Sequence, residues 1–62
     1  MPATGELIRS INYVDDIAVT LRRICTYIPA MAAEERKRLS EHLRVVHTAI
    51  DAALTDLEKA AQ

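Results

Sequence analysis

From Leu7 onward the apolar residues return in alternating steps of four and three: Leu7, Ile11, Val14, Ala18, Leu21, Cys25 and Ile28. That rhythm is a heptad seam, the signature of a helix that packs along one stripe. A second seam with the same alternation runs through Leu39, Leu43, Val46, Ile50, Ala53, Leu57 and Ala60. Pro29 lies between the two. A proline ring disfavours helical geometry at the residue before it and clashes with the carbonyl four residues back. It is tolerated in the first turn of a following helix. The pattern therefore predicts helix 1 over about 4–27, a turn over 28–32 and helix 2 over about 33–60. Residues 1–5 read as a short frayed arm, with Thr4 as the N-cap and Glu6 where the helix dipole favours an anion. Glu34 and Glu35 suit the start of helix 2 in the same way.

Two helices joined by so short a connection are expected to be antiparallel neighbours. Pairing residues across the turn sets Ile28 near Ala32, Leu21 near Leu39 and Leu43, and Leu7 near Leu54 and Leu57. The fold class expected is thus all-α: a two-helix antiparallel hairpin forming one domain.

The stripes are wider than one hairpin needs. Ile8, Ile17 and Ile24 flank the first seam, and Ala49, Leu54 and Ala61 flank the second. A narrow stripe satisfies two helices, whereas a bundle of four needs the broader one. Leu7, Ile8, Ile11, Val14, Ile17, Leu21, Ile24, Leu43, Val46, Ile50, Leu54 and Leu57 are accordingly the expected core and dimer residues of a homodimeric four-helix bundle with two-fold symmetry.

Size points the same way. A chain of 62 residues buries only ~60% of the surface its unfolded form exposes, and such domains usually need a staple. Cys25 is the single cysteine and the two histidines have no Cys/His cluster around them, so oligomerisation remains as the staple. Half of the residues are apolar, yet Phe and Trp are absent, and one Gly and two Pro leave little material for turns. That balance favours helices over sheet.

The formal net charge of −1 provides no global field to draw nucleic acid or membrane. No apolar run approaches a membrane span. No basic-then-apolar leader opens the sequence, and one unpaired cysteine suits a reducing compartment, so a cytoplasmic location is expected. Charge is nonetheless uneven. Residues 17–44 carry six basic and three acidic groups, a net of +3, while residues 1–16 and 45–62 each carry one basic and three acidic groups, a net of −2. A basic turn end and an acidic terminal end complement each other when the two hairpins lie antiparallel, which is the orientation expected.

Site chemistry is sparse. Cys25 sits on the seam, where a small buried hydrophobe is the ordinary role. His42 and His47 are five residues apart. Helical zinc ligands favour a spacing of four, so the two histidines fall on opposite flanks of the seam and read as its polar boundary, His47 pairing with Asp51 or with Asp15. The carboxylate and Glu-x-x-His pattern of di-iron bundles is missing. Asp15 and Asp16 are neighbours that point ~100° apart on a helix and read as solvated surface rather than an acid/base pair. The run Glu34-Glu35-Arg36-Lys37-Arg38, with Glu41 and Arg44, reads as a salt-bridge-laced first turn. No catalytic, cofactor or metal residues are assigned, and a non-enzymatic role is expected.

One face does stand out. Arg9, Tyr13, Asp16, Thr20, Arg23 and Tyr27 recur at steps of three and four along helix 1, away from the seam. Arg9–Tyr13 and Arg23–Tyr27 are each one turn apart, a spacing suited to cation–π contact. Exposed Tyr and Arg are enriched at recognition surfaces. This strip is the expected partner-binding site, with a protein as the expected partner. Val45, on the back of helix 2, is an isolated exposed apolar residue.

Two heptad seams, a tight turn and about sixty residues resemble the plasmid copy-number regulators of the Rop type. That resemblance covers the whole chain in outline. It implies an antiparallel dimeric four-helix bundle and RNA binding on the face of helix 1. Arg9, Asn12, Tyr13 and Arg23 are the nearest equivalents in type to that family's RNA-facing residues, while Asp15 and Asp16 would repel phosphate. A small regulatory or adaptor protein that binds a protein partner is therefore the leading expectation, with nucleic-acid binding as its alternative.

Overall fold

A computed structural model of the protein describes residues 4–61, without the side chains of 60 and 61. The expected arm residues Met1, Pro2 and Ala3, the seam side chain of Ala60 and the flanking side chain of Ala61 lie outside the described residues. The chain is all-α. It comprises α1, Gly5–Tyr27, a single 3-10 turn, Ile28–Ala30, and α2, Ala33–Ala61. Among the described residues there is no strand.

Local chemistry accounts for each boundary. Thr4 is extended (φ −92°, ψ 168°), and its hydroxyl oxygen accepts from the Leu7 backbone N–H at 3.2 Å. Its carbonyl already accepts from the Ile8 N–H at 3.2 Å, the first bond of the helix. One of the otherwise unpaired N-terminal donors is thus satisfied. Gly5, next to that cap, is the first helical residue. Its φ is not positive and a Cβ there would meet nothing within 4 Å, so the position does not require glycine.

At its other end α1 stops at Tyr27, where the sequence places it, but the conformation of the next residue differs from the expectation. Ile28 precedes a proline yet has helical dihedrals, φ −58° and ψ −45°. Proline has no N–H to give to the carbonyl of Cys25, four residues back. The Ile28 N–H takes that carbonyl instead, an i to i−3 bond that tightens the helix into the 3-10 turn. The chain therefore winds on through Pro29 in a narrower turn rather than leaving helical geometry ahead of it.

The second helix begins with half of a capping box. Ala32 stands at its N-cap position and has no side-chain acceptor. Glu35, three residues on, reaches back so that its carboxylate accepts from the Ala32 N–H at 2.9 Å. The Arg36 N–H donates to the Ala32 carbonyl at 3.0 Å, and the Arg36 Nε donates to the Met31 carbonyl at 3.2 Å. The chain entering α2 is thereby held on both its donor and acceptor sides.

Neither helix covers its own apolar stripe. On α1, Leu7, Ile8, Ile11, Val14, Ile17 and Leu21 are all between 41% and 61% exposed. On α2, Val46, Ile50, Leu54 and Leu57 are likewise exposed. Ile24, Ile28, Met31, Leu39 and Leu43 are half-buried, and no described residue is fully buried. Cys25, expected in a buried seam, is exposed in the single chain because the stripe it belongs to is open.

Candidate functional site

The α1 strip is built on an uninterrupted helix. Gly5–Tyr27 has no break or cis peptide, so Arg9, Tyr13, Asp16, Thr20, Arg23 and Tyr27 stand on one face. All six are exposed, with Tyr13 at 60% and Tyr27 at 56%. They fall into two columns at heptad steps: Arg9, Asp16 and Arg23 in one, Tyr13, Thr20 and Tyr27 in the other. Seven residues at ~1.5 Å rise place successive members about 10.5 Å apart along the axis.

Among the described residues the polar side chains of the strip make no side-chain hydrogen bond. Among the described residues neither Arg9, Asp16 nor Arg23 takes part in an ion pair. Hydroxyls elsewhere turn inward: Ser10 donates to the Glu6 carbonyl at 2.8 Å and Thr26 to the Arg23 carbonyl at 2.6 Å. Ser40 and Thr55 do the same on α2. Such back-bonding uses up a hydroxyl's donor on its own helix. Thr20 makes no such bond among the described residues, which leaves its hydroxyl available on the surface.

On α2, His47 Nδ1 lies 3.7 Å from Asp51 Oδ2, with the two side chains 75% and 64% exposed. That pair fits the one-turn spacing expected for His47, but at this distance and exposure it contributes at most a few tenths of a kcal/mol. Among the described residues no three His, Cys, Asp or Glu side chains gather in a way that would hold a metal ion. No helix formed by the described residues is long and apolar enough to cross a membrane.

Sequence reasoning missed the Glu35 cap. The usual marker is a Ser, Thr, Asp or Asn at the N-cap, and Ala32 provides none. The available signal was Glu at the third helical position, which is half of the capping-box pattern.

No family model, curated protein or solved structure matches this chain.

Proposed function

We propose that the protein is a non-enzymatic interaction protein that works as a homodimer and presents the α1 strip to a protein partner. The observation that carries this reading is the apolar stripe left uncovered on each helix. Beside the seams, the flanking Ile8 and Ile17 on α1 and Leu54 on α2 are 56%, 48% and 47% exposed, at positions that the pairing of two helices along a narrow seam leaves free. Water in contact with so much aliphatic surface is unfavourable at roughly 25 cal/mol per Å². A second copy brings a stripe of the same width and chemistry. Two hairpins joined in this way make a four-helix bundle with the seams inside and the strip outside, duplicated by the two-fold axis.

The charge layout favours the antiparallel arrangement, in which each +3 turn region faces the two −2 terminal regions of the other chain. In the reverse arrangement like charges meet. A bundle of this size fills its interior with packing side chains and leaves recognition to its surface, which fits a small regulator or adaptor of bacterial or phage type acting in the cytoplasm.

RNA binding of the Rop kind is the second reading, supported by Arg9, Asn12, Tyr13 and Arg23 on α1. Asp15 and Asp16 on the same helix oppose it, because phosphate contact requires a surplus of cations. The two readings separate in solution. Replacing Tyr13 and Tyr27 with Ala is expected to leave the helical circular dichroism and the dimer unchanged and to abolish capture of the protein partner. Partner capture undiminished in that double variant would remove the strip as the interface. Retardation of RNA that weakens steeply with salt would establish the second reading instead.

A further inference from the structure

The two columns of the α1 strip have an internal order that narrows what can bind there. The charged column reads plus, minus, plus through Arg9, Asp16 and Arg23, and the neutral column reads Tyr13, Thr20, Tyr27. All six side chains are exposed, and among the described residues the three charged ones are in no ion pair. We infer that the partner of this strip is an α-helix carrying an acid–base–acid column at heptad spacing, laid along α1. The inference rests on the strip being a protein-binding surface, as proposed above.

Spacing selects a helix. Charges about 10.5 Å apart on one face are what a helix presents at positions i, i+7 and i+14. On a strand, residues of one face recur every ~6.8 Å, so a residue about 10.5 Å along falls on the opposite face. Sign selects the pattern. A row of phosphates meets Asp16 with like charge, and so does a uniformly acidic peptide. Only a column whose middle member is basic satisfies all three positions. Because plus–minus–plus is the same read from either end, such a helix is accommodated parallel or antiparallel to α1. Tyr13 and Tyr27 then grip the partner at either end through flat, amphipathic rings, with the Thr20 hydroxyl between them.

A second copy of the chain does not carry the complement. Along α2 the heptad columns with two or more charged members read Glu34, Glu41, Thr48, Thr55; Glu35, His42, Ala49, Asp56; Lys37, Arg44, Asp51, Glu58; and Arg38, Val45, Ala52, Lys59. Along α1, Asp15 and Arg22 are followed by Pro29. None is acid–base–acid, so the strip is directed outward, to a different protein.

The test uses the full-length protein and two labelled helical peptides about three heptads long. One has Glu, Lys and Glu at heptad steps, and the other has Lys, Glu and Lys, on the same Ala-rich background. Fluorescence anisotropy at low salt is expected to show roughly tenfold tighter binding of the first, since three exposed pairs each contribute about twofold. The triple variant Arg9→Glu, Asp16→Lys, Arg23→Glu is expected to invert that preference. Equal affinity for both peptides, lost on Tyr13→Ala with Tyr27→Ala, overturns the charge register while leaving the strip as the interface. Binding of neither peptide, or a triple variant that keeps the original preference, also overturns the inference. The pull-down with the tyrosine double variant decides the underlying reading separately.

Discussion

Ile17 is where the energetics of the proposed dimer are most exposed to experiment. It flanks the α1 seam and is 48% exposed in the single chain. Ile17→Ala removes three carbon groups, which at ~0.8 kcal/mol each are worth about 2.4 kcal/mol on full burial. Taking the exposed half as the part that a second chain covers, the loss on association is about 1.2 kcal/mol per chain. Two-fold symmetry repeats the substitution, giving about 2.4 kcal/mol per dimer. At ~1.4 kcal/mol per factor of ten, the dimer dissociation constant rises roughly fifty-fold. Any cavity left in the bundle increases the effect. Sedimentation equilibrium over a concentration series measures it, with circular dichroism confirming that the variant remains helical under the same conditions. Val45→Ala is the matched control. Val45 is 71% exposed and lies off the seam, so its removal should leave the dissociation constant unchanged. An Ile17→Ala constant that moves no more than that of Val45→Ala would mean that the flank of the stripe is not in the interface.

Other expectations follow from the helix ends and the dimer geometry. Glu35→Ala removes the acceptor of the Ala32 N–H and should lower stability by about 1 kcal/mol in thermal or urea unfolding, as should Thr4→Ala at the other cap. Gly5→Ala should stabilise by about 0.5 kcal/mol, since the added methyl meets nothing and a helical glycine is entropically costly. With Cys25 replaced by Ser, a spin label on Ala30→Cys reports dimer orientation by electron–electron distance. The 29 residues of α2 span about 43 Å, so an antiparallel dimer gives a separation near that length and a parallel one gives less than about 20 Å.

Element type and length were readable from the sequence because two independent signals agreed. The four-and-three periodicity fixed which residues share a stripe, and Thr4 and Pro29 marked where the helices change. The handover between the helices was less readable. Steric rules for the residue before proline set Ile28 outside the helix, but the spare Cys25 carbonyl drew its N–H into a 3-10 turn. At Ala32 the cap comes from a side chain three residues away, and identity at the cap position does not reveal it. The Tyr/Arg strip was visible as periodicity. Its division into a charged and a neutral column follows from α1 being unbroken from Gly5 to Tyr27, which keeps Arg9, Asp16 and Arg23 in register over two heptads.

Multi-angle light scattering of the purified full-length protein at micromolar concentration tests the central claim most directly. A homodimer gives a mass of about twice that of one chain, from a particle whose circular dichroism is strongly helical. A well-folded helical monomer at that concentration would contradict the dimer.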